Sequence, residues 1–255
     1  MIRVLFNKKG GVGKSSLAVN LAAISASQGY RTLLIDLDTQ CNSTSYLNVT
    51  DLPKDSSIAD LFEQTITFHL QRRPASDFCC TTQVKNLDII AGSERLTELE
   101  SELDSRHKIY KLREALDSLK DTYQHIFIDT APALNFYSMS ALIAAQRCLI
   151  PIDCDDFARQ GLYSLQRKIA EIKEDHNESL EIEGIIANQY MTNANLPKQI
   201  VNELIAEGFP VLSQYIGQSV KMRESHQAKK PLILLAPKHK LTLSLVGIFN
   251  LLEKN

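Results

Sequence analysis

Short apolar runs alternate with longer amphipathic stretches along the whole chain. "IRVLF" (residues 2–6) is brief, β-branched and apolar, which predicts a buried strand. "KSSLAVNLAAISASQ" follows, with apolar residues at helical spacing and a stop at Gly29, where a helix cap is expected. The same reading predicts strands at "RTLLIDLD", "NLDIIAG", "HIFIDTAP", "CLIPIDC" and "EIEGIIANQY". "FPVLSQYI" (209–216) is a candidate seventh strand. Helices are predicted at "DSSIADLF", over Glu94–Lys120 as one long charged segment, at "ARQGLYSLQRKIAEIKE", and at the closing "LTLSLVGIFNLLEK". "HLQRRPASDFCC" (69–80) shows no clear period. Strands of four to eight residues alternating with helices predict an α/β fold, a doubly wound and mostly parallel sheet flanked by helices. With no internal repeat or low-complexity linker, residues 1–255 are expected to form a single domain.

Composition changes this picture little. At 255 residues, 44% hydrophobic and 23% charged, the chain can bury a large core. A formal net charge of −2 gives no global attraction to nucleic acid or membrane, so either partner must be met by a local patch. No signal peptide is read at "MIRVLF", and no apolar run reaches the roughly 20 residues that span a bilayer. The five cysteines lack zinc-like spacing and are expected as reduced thiols in a cytoplasmic protein.

The candidate chemistry gathers at predicted strand ends, where doubly wound sheets bind ligands. "NKKGGVGKSS" (7–16) ends in the Gly13-Lys14-Ser15 of a phosphate-binding loop, although Lys8 stands where the ordinary motif has its first glycine. Gly10, Gly11 and Gly13 would bring backbone N–H groups close to an anion at a helix N-terminus, with Val12 between them and Ser16 behind. Lys14 would reach the β- and γ-phosphates and Ser15 would offer its hydroxyl to Mg²⁺. Asp36, Asp38 and Asp129 end two further strands and would support the metal mainly through water.

"KKGGVGKSS", "LLIDLDTQCNST" and "IFIDTAPAL" together resemble the deviant Walker A ATPases, and among them the ParA family of partition ATPases. The resemblance extends through "NLDIIAGSERLTELESEL" and "LIPIDCDDFARQGL" and weakens after about Asn188. It implies an ATP- and Mg²⁺-dependent ATPase in which Lys9 reaches the nucleotide of a second subunit, Asp38 positions or activates the attacking water, and Asp36 and Asp129 back the metal. Lys9, Lys14 and Asp38 are then the catalytic set, and residues 9–16 the phosphate site. Asn188, at a strand end, and Gly217 are candidates for adenine contact. Thr39 and Cys41 depart from the family's proline and glycine in the first switch; Met191, Asn193 and the Ile216-Gly217 step depart from it later.

From Lys221 to Lys240 the cations Lys221, Arg223, Lys229, Lys230, Lys238 and Lys240 face one acid, Glu224, with His226 and His239 adding potential charge. Such a patch, with Lys198 as an extension, would neutralise DNA phosphates without reading bases. The resemblance implies the same: an ATP-bound homodimer on nonspecific DNA over the nucleoid, released when a ParB-like activator stimulates hydrolysis. Plasmid or chromosome segregation is the leading cargo, and positioning of a protein assembly is the alternative. A membrane cycle like that of MinD would need a free amphipathic helix. The closing helix, with Leu241, Leu245, Ile248, Phe249 and Leu252 near one face and Leu243, Val246 and Leu251 widening it, is expected to pack in the core instead, so no stable membrane association is expected. A reductase like the nitrogenase iron protein would need cysteines placed to share a cluster, and Cys154 already belongs to the ParA-like "PIDCDDF" stretch.

Overall fold

Each predicted strand that is apolar throughout lies inside one twisted sheet. The computed structural model describes residues 1–50, 52–68, 70–155 and 158–254, so two residues of "PIDCDDF" lie outside the described residues. In chain order the elements are β1 (Ile2–Leu5), α1 (Lys14–Ser27), β2 (Thr32–Leu37), α2 (Asn42–Tyr46), α3 (Ile58–Glu63), a 3-10 turn (Ala75–Phe78), β3 (Cys80–Thr81), β4 (Leu87–Ile90), α4 (Leu96–Ser105), α5 (Lys111–Asp117), β5 (His125–Thr130), α6 (Phe136–Ala144), β6 (Arg147–Asp153), α7 (Ala158–Asp175), β7 (Glu181–Asn188), α8 (Asn195–Ala206), α9 (Val220–Gln227), α10 (Leu232–Leu235) and α11 (Lys240–Leu252).

The sheet runs β3-β4-β2-β5-β1-β6-β7, all parallel except the short edge strand β3. Side chains alternate between its two faces, as the two-residue strand period requires. Val4, Leu33, Ile35, Ile126 and Ile128 join the core under α3 to α8, whereas Leu5, Leu34, Phe127 and Leu149 join the core under α1, α10 and α11. Burial on both faces explains why these strands read as continuous apolar runs.

Three expectations are corrected. "FPVLSQYI" is not a strand: it makes one isolated parallel bridge to β7, Ile185 to Val211, and the residue after it, Gly217, bridges Tyr190 beyond β7. The seventh strand is Cys80–Thr81, which starts at the last residue of the stretch without a period, and two residues are too few to show one. The long charged helix is broken in two, because His107 takes a left-handed conformation (φ 55°) and Lys108 N–H closes on the Leu103 carbonyl at 3.0 Å. The closing helix packs as expected: Leu241, Leu245, Ile248, Phe249 and Leu252 are buried, and only Leu243 among its leucines stands exposed. No described helix is long and apolar enough to cross a membrane.

Candidate nucleotide site

The loop between β1 and α1 is shaped by its own sequence. Asn7 Nδ2 donates to the Pro151 carbonyl (2.8 Å) and Asn7 Oδ1 accepts the Lys9 N–H (3.0 Å), which fixes the loop against β6. Gly11 (φ 78°) and Gly13 (φ 90°) are left-handed. At Gly13 a Cβ would also lie 2.4 Å from Asn188 Nδ2, so no other residue fits there. Gly13 caps α1 without a side chain, leaving the first-turn N–H groups of a 14-residue helix pointing into a cavity of about 460 Å³.

That cavity is lined by Gly10, Gly11, Gly13, Lys14, Ser15, Ser16, Asp38 and, from elsewhere, Tyr46, Pro132 and His226. Lys14 is buried, and its Nζ donates to the Lys9 carbonyl at 3.2 Å. Burial lowers its pKa from the ordinary lysine range, while the charges of Asp129 and Asp38 pull it back up.

The three aspartates divide by environment. Asp36 and Asp129 face each other in register on β2 and β5, and both are fully buried. Burial raises both carboxyls, Asp36 to about 6 and Asp129 to about 7, and each carboxylate's charge opposes ionisation near it. Asp36 is spent on the first switch: Oδ2 accepts the Thr44 N–H (2.9 Å) and hydroxyl (2.7 Å), and Oδ1 accepts the Asp38 N–H (3.2 Å). Asp129 Oδ2 accepts from the Ser43 hydroxyl at 2.7 Å, and the Ser15 hydroxyl also interacts with this carboxylate, both pulling its pKa back down. Asp38 lines the cavity itself, with Oδ1 accepting the Gln40 N–H at 3.0 Å.

The structure therefore brings Gly10, Gly11, Gly13, Lys14, Ser15, Ser16 and Asp38 to one cavity and sets Asp129 and Asp36 behind it; Val12 is buried under the loop. Lys9 is turned onto its own chain, ion-paired with Asp155 and 3.9 Å from Asp153. Lys8 is exposed and donates to Ser164 Oγ at 3.3 Å. Asn188 Nδ2 donates to the Val12 carbonyl at 2.8 Å, and Asn188 lines, with Gly217, a second cavity of about 540 Å³ that shares Gly11, Gly13, Ser16 and His226 with the first. Arg223 lines this second cavity too, while Lys198, Lys229 and Lys230 are exposed and Lys221 is ion-paired with Glu224. All five cysteines are free.

Sequence reading missed Ser43, Thr44, Tyr46 and His226. Ser43 and Thr44 stand inside the quoted "LLIDLDTQCNST", but Ser43 meets Asp129 on β5, and Thr44 joins Asp36 of the same stretch to Gly92 beyond β4. His226 counts in the sequence only as added charge on a basic stretch, 210 residues from its partner Ser16. Cys41 is left-handed (φ 52°) as it enters α2, the conformation that a glycine there would adopt without strain.

A Gly-rich loop feeding a helix at the carboxyl ends of β1, β2 and β5 defines a P-loop nucleotide-binding protein. A family model described as an AAA domain matches residues 1–182. The chain is 34% identical over 238 residues to the chromosome partitioning protein ParA of Myxococcus xanthus, covering 92% of this chain and 81% of that one. It is 31% identical to the sporulation initiation inhibitor protein Soj of Bacillus subtilis, covering 93% and 92%. In fold it is similar to cobyrinic acid a,c-diamide synthase from Mycobacterium smegmatis with bound ADP and magnesium (TM-score 0.81, 22% identity, 98% of this chain and 92% of that one). The chain belongs to the ParA/Soj family of partitioning ATPases.

Proposed function

We propose that the protein hydrolyses ATP with Mg²⁺ in the cavity under the glycine loop, and that the nucleotide state switches a homodimer on and off nonspecific DNA. The observation that carries this reading is the single cavity lined by the loop glycines, Lys14, Ser15, Ser16 and Asp38. N–H groups at the start of α1 and the Lys14 ammonium supply positioned positive charge, which is what phosphoryl transfer requires. Asp38 has Oδ1 committed to Gln40, so Oδ2 is the oxygen available to orient an attacking water.

The residues fit a magnesium ion that arrives with the nucleotide. No group of three or more His, Cys, Asp or Glu among the described residues could hold a metal alone, and Mg²⁺ is commonly held by phosphate, one hydroxyl and water. Ser15 would supply that hydroxyl, with Asp38 and Asp129, whose carboxylate the Ser15 hydroxyl already meets, behind it to accept from metal-bound waters. The ion would neutralise charge on the β- and γ-phosphates. A fold neighbour holds ADP and magnesium, which is consistent with this use.

Adenine would occupy the second cavity, where one N–H of Asn188 is given to Val12 and its carbonyl oxygen can accept from the base. Lys9 would exchange Asp155 and Asp153 for the phosphates of the facing subunit, coupling dimerisation to the triphosphate. The exposed cations Arg223, Lys229, Lys230 and Lys198, with Lys221, would hold the dimer on DNA over the nucleoid, and a ParB-like partner would end the cycle by stimulating hydrolysis. The curated relatives are named for chromosome partitioning, which favours a segregating DNA as cargo. The apolar face of α11 is buried in the core and so does not serve as a membrane anchor.

The test is DNA co-sedimentation with ATP, with ADP and without nucleotide, beside liposome pelleting. DNA binding only with ATP is expected; pelleting with liposomes but not with DNA would overturn the DNA reading. Asp38→Ala should leave an ATP-bound dimer that hydrolyses poorly, and normal turnover by that variant would remove Asp38 from the mechanism.

A further inference from the structure

We infer that His226 is a positioning residue of the nucleotide site, holding the Ser16 hydroxyl so that its proton faces a bound phosphate. His226 Nε2 lies 2.9 Å from Ser16 Oγ. Ser16 is the third residue of α1, one position after the Ser15 assigned to magnesium. Both residues line both cavities, so they stand at the joint between the phosphate side and the base side. A nucleotide that spans the two cavities must pass this joint with its innermost phosphate and ribose. The inference rests on that reading of the cavities.

His226 is exposed, and its imidazole keeps one ring contact that does not depend on Ser16. Its ring meets Tyr46 edge-on, with centroids 4.5 Å apart. Tyr46 is buried and its hydroxyl is fixed on two sides, by the buried Ser225 next to His226 and by Asn20 Nδ2 at 3.0 Å. Asn20 in turn donates to the Ser16 carbonyl (2.7 Å) and accepts the Leu232 N–H (2.8 Å). The ring of α9 and the second turn of α1 are thereby clamped at a set distance.

The direction of the hydrogen bond follows from the ligand. A serine hydroxyl has one proton and two lone pairs. If the hydroxyl donates to Nε2, its lone pairs face the site and repel an anion. If Nε2–H donates to Oγ, the hydroxyl proton is free to point at phosphate. An imidazole protonated on Nε2 can donate whether neutral or cationic, so a bound phosphate selects the second arrangement. His226 thus adds to the loop a donor that the glycine motif by itself leaves free to rotate.

The experiment is equilibrium titration of Mg-ADP with a fluorescent analogue, on His226→Phe, His226→Gln, Ser16→Ala, the double variant His226→Phe/Ser16→Ala, and Lys14→Ala. Phe keeps a ring against Tyr46 without the donor, and should weaken binding about 5- to 10-fold. Gln places an amide N–H near the former Nε2 and should restore most of the affinity, which also shows that loss in the Phe variant is not misfolding. In the Ser16→Ala background, His226→Phe should cost less than about twofold, because its partner is gone. Wild-type affinity in His226→Phe, with binding abolished in Lys14→Ala, would overturn this inference alone. An equal loss in both Ser16 backgrounds would also overturn it, leaving His226 a packing residue. Normal binding by Lys14→Ala would instead overturn the nucleotide reading of the site and this inference with it.

Discussion

At the scale of single residues, the site is governed by which polar atoms are already spent. Among the described residues Lys14 has no acidic hydrogen-bond partner and rests on a loop carbonyl at 3.2 Å, so its charge is available to a ligand. Lys14→Ala should abolish ATP binding in a titration while the free protein melts near the wild-type temperature. Thr44 is the opposite case: its hydroxyl donates to the buried Asp36 and accepts the Gly92 N–H at 2.8 Å. Thr44→Val keeps the shape and the backbone N–H bond to Asp36 Oδ2, but removes the hydroxyl bond to that oxygen and strands the buried Gly92 N–H. It should cost about 2–3 kcal/mol in urea unfolding, and a loss under about 0.5 kcal/mol would show that the pair contributes little. The glycine loop was legible in the sequence because Gly11 and Gly13 answer to their own backbone angles. The Thr44 latch was not, because it ties α2 to Asp36 at the end of β2 and to Gly92 in the loop after β4, which only packing brings together.

At the scale of elements, helices and strands are joined by a few buried polar contacts placed between apolar layers. His125, at the start of β5, accepts or donates at 2.8 Å to Ser25 of α1, stacks near Tyr30 and Phe249, and lies 3.3 Å from Glu253 beyond α11. Burial pulls its imidazole down to about 4, with Glu253 opposing and Arg3 adding to the fall. The folded pKa is below the ordinary value of about 6.5, so the neutral ring is favoured by folding. Its contribution is intact above about pH 6.5 and is lost as pH falls from there toward 4, where the unfolded chain binds the proton first. The urea midpoint of the wild type relative to that of His125→Gln should therefore fall from pH 7.5 to 4.5, a difference from which the opposing proton uptake by the raised Asp36 and Asp129 carboxyls cancels; a difference that stays constant would exclude His125 as a pH-dependent contributor. Strand assignment from the sequence worked where burial on both faces made the run apolar, as in β1, β2 and β5. It failed at β3, a two-residue edge strand, and at 209–216, whose apolar residues pack beside β7 without joining the ladder.

At the scale of the whole molecule, a net charge of −2 hides the segregation on which DNA binding would depend. The substitutions Lys221→Glu, Arg223→Glu, Lys229→Glu and Lys230→Glu together should remove ATP-dependent DNA binding. Removed one at a time, each cation that meets a phosphate should lower the slope of log affinity against log salt by about 0.9. An unchanged slope for every single variant would move the DNA face elsewhere. Arg223 is the informative member, since it also lines the second cavity, and if adenine binds there its removal should weaken nucleotide binding as well. Lys9 belongs to this scale too: its pairing with Asp155 and Asp153 is a state of the single chain, and dimer formation would have to displace it.

The sequence by itself determined the fold class, the phosphate loop and the three aspartates at strand ends. Each of these depends on local rules: strand and helix periods, glycine's access to left-handed angles, and the position of a residue at the end of an apolar run. Only the tertiary structure decided that Asp36 and Asp129 stand opposite each other in register, that Asp36 serves Thr44 rather than the cavity, and that His226 meets Ser16. These contacts join segments separated by 8 to 210 residues in the chain, and they arise when apolar layers fix the elements against one another and leave each buried polar atom to the partner that packing brings to it.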